Sequence, residues 1–300
     1  MYEVKFQKTL WKKIGLIAGL FLLLSGCSAS VQPYWLSPEN GRPASSAGSS
    51  CCSSQAVQPS SRPAVSAASS ESSSSSCPVH RRIKDKTVFL TFDDGPSDLT
   101  VPLLDVLDRY DVKATFFVVG THDKNEVSDL KEIVKRGHAV GVHSYTHDYH
   151  QIYASSKAFF EDFDKMHSLI QRATKVDTKI CRLAGGSLNG YNKKTRAEII
   201  AGLNKRGYVY YDWNVSAEDA RKGATPEKIL KNTLDGIHSH RVSVALLHNS
   251  STKKDTLKEV PTLIQTLKKE GYSFETLDPS VNNRPFIFYH SADTSSAGSR

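Results

Sequence analysis

Two short segments of the chain contain the side chains needed for metal-assisted hydrolysis. Residues 91–96 (TFDDGP) place the adjacent carboxylates of Asp93 and Asp94 at the end of an apolar, strand-like stretch. Residues 143–147 (HSYTH) place two imidazoles, His143 and His147, four residues apart. Neighbouring side chains of an extended strand point to opposite sides, so one carboxylate can bind a metal while the other faces a water molecule. The pattern predicts a divalent-metal site with a carboxylate left over for acid–base chemistry.

One aspartate and two histidines leave coordination positions open for water, as in catalytic zinc sites. Zinc suits these ligands, and histidine–carboxylate sites also accept cobalt, nickel or manganese. If residues 143–147 are helical, the two histidines share a face as in zinc metalloproteases, but Ser144 stands where those enzymes have their general-base glutamate. The second aspartate is available as the base. Either segment alone has an ordinary explanation, because Asp-Asp-Gly-Pro is a common surface turn.

From Lys86 onward, strand-like stretches alternate with helical patterns. The predicted strands are 87–92, 114–119, 138–143, 179–184, 208–213, 242–248 and 272–277. The predicted helices are 99–110, 127–136, 154–173, 193–206, 226–236 and 255–270. Strands that alternate with helices pair in parallel, so the sequence predicts an α/β fold, either an incomplete barrel or an open doubly wound sheet.

Several polar side chains fall at the C-terminal ends of the predicted strands, where the active sites of barrels lie. Arg182, Asp212 and His248 join the aspartate pair and His143 in this respect. Taken alone, an arginine before a Gly-Gly turn is a surface residue as often as a functional one. A histidine at the end of an apolar strand is usually a core residue. Their shared position favours a functional interpretation.

In this combination the motifs resemble those of the NodB-type polysaccharide deacetylases (carbohydrate esterase family four), which remove N- or O-acetyl groups from sugars. The resemblance covers residues 85–282 and five ordered motifs. It implies a distorted, incomplete (β/α) barrel of about seven parallel strands. It also implies that Asp94, His143 and His147 bind the metal and that Asp93 is the general base.

The same resemblance assigns roles to the later motifs. Arg182 would hold the base. His248 would be the general acid that protonates the leaving amine, and Asp212 would tune that histidine. Trp213 would line the sugar groove, and Leu246 would line the pocket for the acetyl methyl group.

The third motif departs from the family pattern. The family usually reads Arg-x-Pro-Tyr-Gly, whereas residues 182–186 of this chain read RLAGG. In the family, the backbone N–H at the tyrosine position stabilises the oxyanion. A backbone donor survives the loss of a side chain, so Gly185 can still serve as the oxyanion donor. The missing ring is expected to leave one wall of the groove open and to affect sugar preference.

The chain before residue 85 is typical of a targeting and tethering region. Four lysines precede an apolar run at residues 14–24, which is too short for an ordinary membrane helix and has the length of a signal-peptide core. Residues 1–27 resemble a bacterial lipoprotein signal peptide with Cys27 lipidated; a plain secretory signal or an uncleaved anchor are the alternatives. Residues 28–84 are predicted to be a disordered, Ser-rich tether, and residues 283–300 a C-terminal tail.

These features predict a protein on the extracellular face of the bacterial cytoplasmic membrane, either lipid-anchored or secreted. The formal net charge of +8 favours contact with polyanionic envelope polymers. No basic stripe is interleaved with aromatic residues, so no nucleic acid partner is predicted. Three of the five cysteines (Cys51, Cys52, Cys77) lie in the tether, and Cys181 is interpreted as a small buried apolar side chain. The sequence does not specify an oligomeric state.

Three functions are compatible with these features. The leading hypothesis is a lipid-anchored, metal-dependent hydrolase that removes N-acetyl groups from N-acetylhexosamine units of an envelope glycan, with peptidoglycan as the expected polymer. An esterase for O-acetylated glycans such as xylan shares every motif. A member that binds glycan without cleaving it is supported only by the missing tyrosine of the third motif.

Overall fold

The computed structural model of the protein describes residues 80–286. The predicted signal peptide with Cys27 and the three tether cysteines lie outside the described residues, as does the chain after residue 286. Within the described part, none of the helices combines the length and the apolar character needed to cross a membrane.

Residues 80–286 form strands and α-helices in alternation. The strands are β1 (Thr87–Gly95), β2 (Thr115–Val119), β3 (Ala139–Ser144), β4 (Ile180–Cys181), β5 (Val209–Tyr210), β6 (Val215–Ser216), β7 (Val242–His248) and β8 (Ser273–Phe274). The α-helices are α1 (Thr100–Arg109), α2 (Lys124–Lys135), α3 (Tyr149–Ile152), α4 (Ser156–Thr174), α5 (Arg196–Lys205), α6 (Pro226–His238) and α7 (Lys254–Lys269). Every predicted strand and helix has a counterpart, and the prediction missed only the short β6 and α3.

The strands form one parallel sheet in the order β5-β4-β3-β2-β1-β7-β6, and β8 pairs with the start of β1. This is a curled half-barrel, so the predicted incomplete barrel is confirmed. The register places Asp93 of β1 opposite His248 of β7 and opposite Phe117 of β2. Two motifs that are far apart in sequence therefore end side by side at the C-terminal edge of the sheet.

Side chains of β1 alternate between two cores, as the period of a strand requires. Val88 and Leu90 belong to the larger cluster, which the helices cover. Phe89 belongs to a smaller cluster on the inner face of the half-barrel, together with Phe117 and Tyr211. The outward and inward faces are both apolar, which explains why β1 is a nearly continuous hydrophobic run.

The C-terminal segment closes the base of the half-barrel. Leu277, Val281 and Phe286 join the inner cluster, and Phe286 makes an edge-on contact with Phe89. A 3₁₀ turn over Arg284–Phe286 places that last ring. The folded part of the chain therefore extends past residue 282, where the sequence predicted a tail to begin.

Local side chains fix the beginnings of several helices. Ser155 accepts a hydrogen bond from the backbone N–H of Ala158 at the start of α4, and Thr225 caps α6 in the same way before Pro226. Asp148 caps α3 by accepting from two backbone N–H groups. This cap fixes the position of the one-turn helix that follows the predicted metal ligands.

Candidate active site

The predicted site residues converge at the C-terminal ends of the strands. Asp93 and Asp94 lie at the end of β1, His143 near the end of β3 and His248 at the end of β7. Arg182 directly follows β4, and Asp212 follows β5. The half-barrel thus brings together side chains that are as many as 155 positions apart in the sequence.

Asp94, His143 and His147 have the spacing of metal ligands. The Oδ1 atom of Asp94 lies 3.5 Å from Nε2 of His143 and 3.3 Å from Nε2 of His147. One ligand atom from each of the three residues lies within 4.8 Å of the other two. Tetrahedral ligands that are each about 2.1 Å from a zinc ion are about 3.4 Å from one another, so the two shorter spacings fit a shared ion.

The hydrogen bonds of these residues also fit a metal. Nδ1 of His143 is 2.8 Å from the backbone carbonyl of Arg182; because a carbonyl only accepts, this nitrogen carries the proton and Nε2 presents its lone pair to the site. Oδ1 of Asp94 is buried and has no hydrogen-bond partner among the described residues. Burial is the main cause that lowers the pKa of His147, and the neighbouring His143 lowers it further. The lower pKa favours the neutral imidazole, which is the form that binds a metal.

The two histidines do not share the face of a helix, an arrangement that the sequence left open. Residues 143–147 are not helical: His143 belongs to β3, and His147 lies in the following turn with a left-handed φ of 55°. Asp94 is also left-handed, with φ 67°, at a break in the β1–β2 register. This irregularity cancels the strict alternation of a strand, and Oδ2 of Asp93 lies 3.8 Å from the same His143 nitrogen that Asp94 approaches.

Asp162 of α4 holds the turn that carries His147. Its carboxylate accepts hydrogen bonds from the hydroxyl of Ser144, the backbone N–H of Tyr145, and both the backbone N–H and the hydroxyl of Thr146. The Ser144 hydroxyl in turn accepts from the backbone N–H of His147, 2.8 Å away. Ser144, which replaces the general-base glutamate of zinc metalloproteases, therefore has a positioning role in this turn.

Arg182 and Asp93 form a buried ion pair. The guanidinium is fully buried and donates to Oδ1 of Asp93 over 2.8 Å and to the hydroxyl of Thr91 over 2.7 Å. Its other donors reach the backbone carbonyls of Tyr211 and Asp212, each at 2.9 Å. The predicted contact between Arg182 and Asp93 is present, and Oδ2 of Asp93 lies 3.8 Å from Nε2 of His143 in the ligand cluster.

The Gly185–Gly186 turn has the features of an oxyanion donor. Both glycines have a positive backbone φ, 74° for Gly185 and 86° for Gly186, which residues with a Cβ atom rarely adopt. The N–H of Gly186 donates to the carbonyl of Leu183, whereas the N–H of Gly185 has no hydrogen-bond partner among the described residues. Asp212 stabilises the turn by accepting from the backbone N–H and the hydroxyl of Ser187.

The partner of His248 is Asp219, and the predicted pairing of His248 with Asp212 is wrong. Oδ1 of Asp219 lies 2.7 Å from Nδ1 of His248, and Oδ2 accepts from the backbone N–H of the same residue. Thr256 donates a third hydrogen bond to this carboxylate. Burial by itself lowers the pKa of His248, but the hydrogen bond and charge of Asp219, with the charges of Asp93 and Asp94, raise it above its usual value.

Sequence reasoning missed Asp219 because it follows β6, a strand of only two residues. Val215 and Ser216 are too few to form a recognisable strand pattern, yet they pair with Ala245 and Leu246 of β7. A residue shortly after β6 therefore lies beside the end of β7. Asp212 follows β5, at the far edge of the sheet order, and accordingly serves the glycine turn instead.

Two aromatic rings flank the glycine turn. A Cβ on Gly186 would lie 3.0 Å from the ring of Trp213, and a Cβ on Gly185 would lie 3.3 Å from the hydroxyl of Tyr149. The wall that was expected to be open, for lack of the third-motif tyrosine, is therefore occupied by a tyrosine from α3. Leu246 is buried on β7, two residues before His248 and on the same face of the strand.

Several proteins with similar sequences are described as polysaccharide or peptidoglycan deacetylases. The sequence profile described as polysaccharide deacetylase matches residues 80–208. The putative polysaccharide deacetylase YheN of Bacillus subtilis is 35% identical over 201 residues, which are 66% of this chain and 69% of that protein. A peptidoglycan-N-acetylglucosamine deacetylase of Bacillus cereus is 30% identical over 214 residues, which are 68% of this chain and 74% of that protein.

The fold gives the same result. The catalytic domain of a peptidoglycan N-acetylglucosamine deacetylase from Eubacterium rectale matches with a TM-score of 0.67 and 39% identity, covering 72% of this chain and 97% of that domain. The sequence relatives and this structure support the family resemblance found in the sequence. The chain therefore belongs to the polysaccharide deacetylase family of hydrolases.

Proposed function

We propose that the protein is a metal-dependent deacetylase that removes N-acetyl groups from N-acetylhexosamine units of a cell-envelope glycan, with peptidoglycan as the polymer. One observation carries the proposal: two ion pairs of opposite arrangement lie at the ligand cluster, where Asp93 approaches the ligand His143 and is opposite His248 in the strand register. On one side Arg182 holds the carboxylate Asp93, and on the other Asp219 holds the imidazole His248. Hydrolysis of an amide needs a base and an acid on either side of the carbonyl, and this site has one of each.

Asp94, His143 and His147 would hold the metal. When bound, a divalent ion at such a site polarises a carbonyl oxygen and lowers the pKa of water. Zinc is the proposed ion because two imidazoles and one carboxylate with open positions are typical of catalytic zinc; cobalt, nickel and manganese are the alternatives.

The protein side chains carry the proton transfers. Asp93 accepts a proton from the attacking water, whose oxygen adds to the acetamide carbon. The free N–H of Gly185 donates a hydrogen bond to the oxygen that becomes negative. His248 then gives its proton to the sugar nitrogen as the C–N bond breaks, so that one water is consumed and acetate and an amine are released.

The acid side of the site favours an amide over an ester as substrate. An amine leaves as an anion far less readily than an alcohol does, so cleavage of an amide depends more strongly on a proton donor in place. Asp219 raises the pKa of His248 and thereby maintains that donor. The two N-acetylglucosamine deacetylases among the compared proteins support the same substrate class.

Acetate release from N-acetylchitotetraose, peptidoglycan and acetylxylan tests the function. The metal-loaded full chain should release acetate from N-acetylchitotetraose and from peptidoglycan, should stop after chelation, and should recover when Zn²⁺ is restored. Asp94→Asn is the matched control, because it removes one ligand and should lose both metal content and activity. Release from acetylxylan alone would identify an O-acetyl esterase, and release from no glycan would leave the non-catalytic alternative.

We also propose that the protein is anchored by a lipid on Cys27 to the outer face of the cytoplasmic membrane. Support comes from the leader sequence, in which basic residues and a short apolar core precede the cysteine. Replacing Cys27 by Ser should move the protein out of the membrane fraction. Unchanged membrane association would favour an uncleaved anchor, and a protein already found in the medium before the change would favour plain secretion.

A further inference from the structure

A stack of three tyrosines leads from the core to the surface beside the ligand cluster. The ring centroids of Tyr153 and Tyr149 are 6.2 Å apart, with an angle of 8° between the ring planes. Those of Tyr149 and Tyr191 are 5.2 Å apart, with an interplanar angle of 20°. Tyr153 is buried and its hydroxyl donates to the carbonyl of Ala184. Tyr191 is 53% exposed and is the one large hydrophobic side chain exposed among residues 80–286.

The tyrosine stack adjoins the reacting centre. The ring of Tyr149 lies 5.2 Å from that of the ligand His147 and fills the space in front of Gly185, the proposed oxyanion donor. Tyr191 stacks on Tyr149, the side-chain neighbour of the site, and the ring of His150 meets Tyr191 edge-on with ring centroids 5.2 Å apart. A polymer whose acetyl group reaches the site would therefore extend past an exposed aromatic face.

The loop that carries Tyr191 is held rigidly. The Asn189 side chain donates to the carbonyls of Ala184 and Gly186, and the buried Asn192 donates to Gly186 as well. Arg196 donates to Asn192 and to the backbone of Asn189. A rigid aromatic surface binds a ligand without the entropy cost of ordering a loop, so this placement favours recognition over chance exposure.

We propose that Tyr191 is a sugar-binding platform for the pyranose ring next to the one that is deacetylated. The C–H face of a β-linked hexosamine packs on an exposed aromatic ring, while its hydroxyls remain in water. Tyr149 backs the platform and takes the place of the tyrosine that the third motif lacks. This inference rests on the proposed function, because it concerns the same glycan at the same site.

The test compares a glycan with a substrate that has no sugar ring. The proteins are the zinc-loaded full chain, Tyr191→Ala, Tyr191→Phe, and the control Tyr272→Ala, whose tyrosine lies just before β8 at the opposite end of the barrel. Tyr191→Ala should lower kcat/KM for N-acetylchitotetraose by roughly tenfold, mainly through KM, and leave hydrolysis of 4-nitrophenyl acetate unchanged. Tyr191→Phe and Tyr272→Ala should retain both activities.

Each other outcome has a definite meaning. Equal activity of Tyr191→Ala and the unchanged chain on the tetraose would overturn the platform, and so would an equal loss on both substrates, which indicates structural damage. If the chain hydrolyses 4-nitrophenyl acetate but no amino-sugar oligomer, the proposed function fails. Calorimetric binding of N-acetylchitotetraose then decides the platform separately: weaker binding by Tyr191→Ala would support it, and no difference would overturn it.

Discussion

The two halves of the site each contain an ion pair, but the charges of the two pairs are arranged in opposite ways: an arginine holds the carboxylate Asp93, and a carboxylate holds the imidazole His248. On the β1–β4 side, the fully buried guanidinium of Arg182 donates one hydrogen bond to the carboxylate of Asp93, and its other donors bind a hydroxyl and two backbone carbonyls. On the β6–β7 side, the carboxylate of Asp219 accepts from the ring and the backbone of His248 and from Thr256. Each working side chain is held by a partner of opposite charge that is itself anchored.

The difference lies in what the two partners can do chemically. Arg182 never loses its proton, so it fixes Asp93 in position and stays charged throughout the reaction. In the proposed mechanism, Asp219 instead supports a side chain whose charge must change, because His248 is protonated before it acts and neutral afterwards. In this proposal, Arg182 is a rigid support for the base Asp93, whereas Asp219 acts by raising the pKa of the acid His248.

The largest effect is expected from Asp93→Asn, which removes the base but keeps its shape. Acetate release should fall by about 10³-fold or more, because a general base contributes roughly 10²–10⁴-fold and the amide also weakens the contact with Arg182. Metal content, measured by elemental analysis, should be unchanged. Retained activity would remove Asp93 from the mechanism, and loss of metal would make it a ligand.

Arg182→Met tests whether the base side is a structural support. The change leaves Asp93 buried without its charged partner, and removing one member of a buried pair costs about 3–5 kcal/mol. Thermal unfolding should therefore occur at a lower temperature by roughly 10 °C. Arg182→Lys keeps the charge but cannot make four hydrogen bonds, so its melting temperature should lie between those of the unchanged chain and Arg182→Met. An unchanged melting temperature for Met would contradict the support role.

Asp219→Asn tests the acid side through the pH profile of kcat/KM. Activity falls as pH rises through the pKa of His248, and Asp219 raises that pKa. Without the carboxylate the pKa drops, so the falling limb should move to lower pH, with a loss of about 10²-fold at neutral pH. Asp212→Asn is the matched comparison: it disturbs the glycine turn and should lower activity without moving that limb. If the falling limb of the pH profile moved only in Asp212→Asn, Asp212 would be the residue that tunes His248, as the sequence predicted.

Thr256→Val should give the smallest effect. The valine keeps the volume but loses one hydrogen bond to Asp219, which should lower the free energy of unfolding by about 1 kcal/mol. The falling limb should shift slightly to higher pH, because an Asp219 with fewer donors attracts the His248 proton more strongly. A shift to lower pH would show that Thr256 acts by orienting the carboxylate.

The sequence predicted the parts of the site that belong to long, regular elements. Asp93, His143 and His248 lie at the ends of strands with strong apolar patterns, so their convergence followed from the parallel topology. Asp219 and Tyr149 were missed because β6 has two residues and α3 has four, too few for a periodic signal. Asp94 and His147 were predicted as ligands, but their left-handed backbone was not, because tertiary contacts such as those of Asp162 impose it.

The N-terminal end of the half-barrel, which the C-terminal segment closes, is also where the described chain enters the domain. Arg81 pairs with Glu275 and hydrogen bonds to Ser280 beside the C-terminal segment, and β1 then runs about 20 Å to Asp93 at the other end. The described chain thus enters the domain at the pole opposite to the catalytic mouth. A polymer can therefore approach the catalytic mouth without meeting the point at which the described chain begins.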